Sequence, residues 1–158
     1  MKEPEVSEGS PFKYRKAEES AGFLLWKITA LWQRRLTEVL GEFGITQTQY
    51  AMLASLRWFE EQGEPTTQAH LVEHAGIDKM TVSKAIRRLE ESGLVVRERS
   101  SSDSRATNAR FTPKGKRLIQ KAIVAVENAD EELFSCLTAR QLAMYKALTS
   151  AVVAKSGP

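Results

Sequence analysis

Apolar positions recur along most of this chain at helical spacing. From Glu18 to about Glu42, Leu24, Ile28, Leu31, Leu36, Val39 and Leu40 repeat every three to five residues, the period of an amphipathic helix. Phe23, Trp26 and Trp32 widen that face, and Gly41 and Gly44 end it. Thr46-Gln47-Thr48-Gln49 then reads as a capping box, with a hydroxyl accepting one amide and a glutamine reaching back to another. The helix it opens runs to about Glu61, with Met52, Leu53, Leu56 and Phe59 apolar, until Gly63-Glu64-Pro65 breaks it. Thr67 starts a short helix carrying Leu71, Val72 and Ala75. A turn at Gly76-Ile77 leads to Asp78, a good N-cap. The next helix, Lys79 to about Ser92, repeats Val82, Ile86 and Leu89 at i, i+4, i+7 and stops at Gly93.

Here the period changes. Leu94 to Arg99 is β-rich, residues 100–105 form a polar turn, and Asn108 to Thr112 can return as a second strand. Thr112-Pro113 opens a long helix with Leu118, Ile119, Ala122, Ile123, Val126, Leu133 and Phe134. A second capping box, Thr138 to Gln141, opens a last helix with Leu142, Tyr145, Leu148 and Val152. Helix, glycine turn, helix, then a hairpin predicts a winged helix-turn-helix. The fold class is mainly α with a small β-wing. The expected organisation is a flexible tail over 1–17, a dimerisation helix over 18–45, a DNA-binding lobe over 46–112 and dimerisation helices over 113–158, integrated as one domain.

Charge sharpens this picture. The 158 residues carry a formal charge of only +3. Yet residues 79–117 hold eleven Lys/Arg against four acids, while the rest of the chain is net acidic. Clustered cations are what phosphate neutralisation requires. On the second helix of the motif, the direction opposite Val82, Ile86 and Leu89 carries Met80, Lys84, Arg87 and Glu91, flanked by Thr81, Ser83 and Arg88, with Lys79 a further candidate contact. Cations reach guanine edges or phosphates, hydroxyls read base edges, and a thioether can touch a thymine methyl. In the wing, Ser101, Ser102 and Arg105 are the candidate contacts, Arg105 as a minor-groove probe. Asp103 is expected to hold the hairpin by pairing with Arg97 or backbone amides.

These residues resemble the MarR family of bacterial winged-helix transcriptional regulators. The resemblance rests on Gly44-Ile45-Thr46-x-x-Gln49-Tyr50, Thr67-Gln68-Ala69 with Leu71, and Asp78 to Lys84. It continues through Leu89-Glu90-x-x-Gly93-Leu94-Val95, Arg97 with Asp103-x-Arg105, and Thr112-Pro113-Lys114-Gly115. One departure is His70, where many members have a Glu that closes the cap opened by Thr67. The resemblance implies a homodimer on a pseudo-palindromic double-stranded DNA operator, most often as a repressor. It also implies release by a small aromatic or phenolic effector, for which Trp26, Trp32 and Tyr50 are the candidate ligand-binding residues, with Arg34 or Arg35 to pair a carboxylate. Packing of these aromatics in a dimer core is the competing expectation. An effector-independent DNA-binding regulator, or a helical dimer acting through protein partners, is the alternative function.

Other classes fit poorly. No nucleophile elbow, P-loop, dinucleotide fingerprint or zinc-protease motif occurs, so an enzyme is not expected. No cofactor is expected. His70 and His74 sit at i, i+4 with Glu73 beside them, but two imidazoles do not make a zinc site, and no metal is assigned. Cys136, the one cysteine, is expected to be buried and inert. No apolar run approaches the roughly 18 residues of a membrane span. The acidic start, Met1-Lys2-Glu3-Pro4-Glu5, is unlike a signal peptide, so a cytoplasmic location is expected.

Overall fold

The computed structural model describes residues 10–63, 66–99 and 107–156. A 3-10 turn, Ala17–Glu19, precedes α1 (Ala21–Gly41). Then come α2 (Gln47–Glu61), α3 (Gln68–Ala75), α4 (Lys79–Glu91), β1 (Val95–Arg99), β2 (Thr107–Phe111), α5 (Pro113–Leu133) and α6 (Ala139–Ser156). Two compact units result, one ending at Arg35 and one beginning at Leu36. In the first, Phe23 and Trp26 bring their rings to 6.0 Å, and Lys27 lies over the Phe23 ring.

Local chemistry sets most of the boundaries of the second unit. The Thr46 hydroxyl accepts the Gln49 amide at 3.2 Å, and Gln49 Oε1 accepts the Thr46 amide at 2.8 Å. Thr138 and Gln141 repeat the reciprocal pair at 2.9 and 3.3 Å. Thr67, Asp78 and Thr112 cap α3, α4 and α5. Between α3 and α4, Gly76 takes φ +62°, a left-handed conformation that glycine adopts without a Cβ penalty. That turn redirects the chain so that α4 crosses α3.

The core of this unit lies where α2, α3, α4 and α5 meet. Leu40, Met52, Leu53, Leu71, Val82, Ile86, Leu89, Val95 and Ile119 are its largest fully buried side chains. α2 packs on α3, α4 and α5, and α3 also packs on α4 and β2. β1 and β2 pair antiparallel, Val95 opposite Phe111 and Arg99 opposite Thr107. A bridge from Thr67 to Asn108, with the Ala109 amide on the Thr66 carbonyl at 3.0 Å, adds a rudimentary third strand.

Three sequence expectations change here. α1 begins at Ala21, because Glu18 and Glu19 belong to the 3-10 turn and the Ser20 hydroxyl accepts the Phe23 amide instead. α5 ends at Leu133, with Phe134 as its C-cap. Cys136 is exposed, not buried, because it falls in the turn between α5 and α6, off the apolar face of either helix.

Candidate nucleic-acid interface

The helix-turn-helix presents α4 by its inner face. Val82, Ala85, Ile86 and Leu89 are buried, so the opposite direction must face outward. Met80 is 80% exposed, and Lys79, Thr81, Lys84, Arg87 and Arg88 are exposed or half-buried on the same side. Ser83 lies at the margin of that face. The structure therefore brings all seven sequence-predicted residues of α4 onto one accessible surface. Ser101, Ser102, Asp103 and Arg105 lie outside the described residues.

The N-terminus of α4 is locked by Asp78, whose carboxylate accepts the Thr81 amide at 2.9 Å. Hydrogen bonds from the Thr81 side chain, then from its amide, hold the Asp78 carboxyl below the usual carboxylate range. Thr81 thus serves the cap as well as the outer face.

Arg97 has a partner that the sequence did not suggest. Its Nε and second guanidinium nitrogen bond Glu90 Oε2 at 2.7 and 2.6 Å, and its amide bonds Glu90 Oε1 at 3.3 Å. The fork ties β1 to the last turn of α4, and its hydrogen bonds keep the Glu90 carboxyl low. Glu90 is seven residues before Arg97, and only the turn at Gly93 brings the two together. The expected role of Asp103, pairing with Arg97 or with backbone amides, lies outside the described residues. Across the hairpin, Arg110 pairs with Glu98 at 3.4 Å.

The start of α5 completes the mount. Thr112 Oγ1 donates to the Gly93 carbonyl at 2.7 Å, and Lys114 Nζ donates to the Ser92 carbonyl at 3.0 Å. Gly115 lies so close to Leu94 that a Cβ there would overlap its carbonyl oxygen. On the far side, Glu60 pairs with Arg57 at 2.7 Å and Lys116 at 3.1 Å. Partial burial pushes its carboxyl up, but these two partners outweigh that and hold it low.

The ligand candidates are dispersed over both units. Trp26 is 68% exposed, and Trp32 is half-buried. Tyr50, at the start of α2, is half-buried, and burial, helped by the charge of Glu127, raises its phenol above the ordinary value. It is therefore a neutral hydrogen-bond donor. His70 and His74 pack on aromatic rings instead of facing each other across an ion. Both rings meet Phe59, at 5.8 and 5.2 Å, and His74 stacks on Trp58 at 6.4 Å. No cluster of three or more metal-ligating side chains occurs among the described residues, nor is any described helix long and apolar enough to cross a membrane.

The chain is similar to known proteins. The winged-helix domain family described as ArnR1-like matches residues 41–129. The uncharacterized HTH-type transcriptional regulator YdcH of Bacillus subtilis is 32% identical over 123 residues, covering 78% of this chain and 84% of that protein. The HTH-type transcriptional repressor Rv2887 of Mycobacterium tuberculosis is 29% identical over 125 residues, covering 79% and 87%. A crystal structure of a mutant MarR from E. coli complexed with operator DNA superposes with a TM-score of 0.75 at 25% identity, covering 84% of this chain and 92% of that one.

Proposed function

Because the chain belongs to the MarR family of winged-helix transcriptional regulators, and so is a transcriptional regulator and not an enzyme, we propose that it is a cytoplasmic repressor that binds a pseudo-palindromic operator as a homodimer. The observation that carries this reading is the outward face of α4. Met80, Lys84 and Arg87 form its centre, and no acid interrupts it before Glu91. The N-terminal turns of a recognition helix are the part that meets base edges, and here those turns are cationic. Arg99 at the end of β1 adds a cation, and the same proposal extends to Arg105 by sequence. A relative named as a repressor supports the direction of control.

The dimer is supported by α6. Met144, Leu148, Val152 and Val153 are each more than half exposed in the single chain. A contiguous apolar surface of this kind marks an interaction site, and a two-fold partner also suits a palindromic operator. Effector control by a small aromatic ligand is part of the same proposal. A small aromatic ligand favouring the protomer arrangement that does not fit DNA would release the operator by its differential affinity.

Selection of bound sequences from a random duplex pool, followed by titration at two salt concentrations, tests the reading. Enrichment of half-sites about one helical turn apart is expected. Salt-sensitive binding with no enriched motif would overturn specific recognition. On the selected operator, Lys84→Ala or Arg87→Ala should cost roughly 1–3 kcal/mol where the side chain reads a base. An equal loss on random DNA would reassign that residue to phosphate.

A further inference from the structure

Ahead of α1 the chain reads Pro11-Phe12-Lys13-Tyr14-Arg15-Lys16-Ala17, three cations and two aromatics with no acid between Glu8 and Glu18. Winged-helix recognition does not use these residues. In the first unit they help enclose a cleft of about 440 Å³, lined by Phe12, Lys13, Tyr14, Arg15, Lys16 and Phe23 among others. No carboxylate is among its lining residues. Phe12 is 74% exposed and Tyr14 39%. Lys13 Nζ lies 5.8 Å from the centre of the Tyr14 ring. None of these side chains belongs to the buried core of the described residues, which starts at Val39.

Such a surface fits a ligand that is both polyanionic and flat-faced. Ammonium and guanidinium groups neutralise phosphates, and exposed rings stack on bases or pack against sugars. A lipid surface would ask for an amphipathic helix with a continuous apolar stripe, whereas the helical element described before α1 is three residues long. We propose that residues 12–16 form a DNA-binding arm that contacts backbone phosphates flanking the operator. The proposal rests on the operator-binding reading above, since the rest of the chain brings the DNA to the arm. Tethering then gives the arm an effective concentration near the millimolar range, so individually weak interactions count.

The test compares the full chain with its K13Q/R15Q/K16Q variant on two duplexes, the selected operator alone and the same operator with about one helical turn added at each end. Both are titrated over a range of salt. On the longer duplex the variant should bind about tenfold or more weakly, with its salt slope reduced by roughly 0.9 for each phosphate that the arm no longer neutralises. On the shorter duplex the two proteins should agree within about twofold, there being few flanking phosphates for the arm to reach. The thermal midpoint should not move, because the substituted residues lie outside the core. Equal affinity and equal slope on the longer duplex would overturn the arm while leaving operator binding intact. An equal loss on both duplexes would overturn its placement on the flanks. A wild-type protein that selects no operator would sink the operator-binding reading, and the arm with it.

Discussion

α5 and α6 are consecutive helices of similar length, 21 and 18 residues, each opened by a threonine whose hydroxyl accepts an amide three residues on. Their fates differ. α5 buries Gly115, Ile119, Ala122, Val126 and Ala129. No described residue of α6 is buried, although Met144, Leu148, Val152 and Val153 are as apolar as anything in α5. One ring contact, Phe134 to Tyr145 at 5.0 Å, links α6 to the end of α5. Helix formation was decided by caps and propensity in both. Burial was decided by whether the same chain supplies a covering surface. The winged lobe closes its core within one chain, and α6 leaves its face for something else. Burying a Leu, Val or Met side chain is worth about 1.5–3 kcal/mol, so that face represents a substantial drive toward a partner.

The sharpest way to break this contrast is a pair of truncations. Leu89→Ala, in the centre of the lobe, should lower unfolding free energy by about 2–5 kcal/mol, independently of protein concentration. Leu148→Ala should cost stability only to the extent that the dimer forms, so its effect should grow with protein concentration and fade on dilution, as linkage requires. Chemical denaturation at two protein concentrations checks both. A large Leu148 cost in dilute monomer would mean that α6 is packed within its own chain.

Gly115→Ala tests how tightly the lobe is mounted. The new methyl must displace the Leu94 carbonyl, and overpacking of this kind costs about 1–3 kcal/mol. We expect a lower thermal midpoint together with weaker operator binding, since Leu94 leads directly into β1. A variant as stable as the parent would show that the wing base yields freely.

Leu148→Glu combined with Val152→Glu charges the open face of α6 without touching the lobe. Light scattering should show a halved mass, and operator affinity should fall at least tenfold, which is about 1.4 kcal/mol. A dimer of unchanged mass and affinity would remove α6 from the interface.

The smallest effect is expected at Glu90. Its carboxyl titrates below the ordinary value because Arg97 hydrogen-bonds the charged form. The linked stabilisation is complete above the unfolded value near 4.3 and is lost as the pH falls through the lower folded value. Arg97→Gln should therefore lower neutral-pH stability slightly and flatten the acid side of the profile, with parent and variant converging as the pH falls. Superimposable acid profiles for parent and variant would show that the fork contributes nothing to folding.

Much of the architecture follows from local rules and was legible without coordinates. The caps at Thr46, Asp78, Thr112 and Thr138, the Gly76 turn and the apolar face of α4 all depend on residues within a few positions of one another. Hydrogen-bond geometry at helix ends and side-chain periodicity act over that range, so sequence alone determined these elements and the cationic face of α4. Contacts between distant segments were decided by tertiary structure. Glu90 became the partner of Arg97 only when the chain doubled back after α4, and Gly115 became indispensable only when α5 met Leu94. His70 and His74, spaced like metal ligands, were claimed by Phe59 and Trp58 from a neighbouring helix. Cys136 came to the surface because the α5–α6 turn places it there. The physical reason is the same in each case. A sequence states which face of an element is apolar or charged, but packing selects what meets that face, and long-range pairing exists only after the chain has closed.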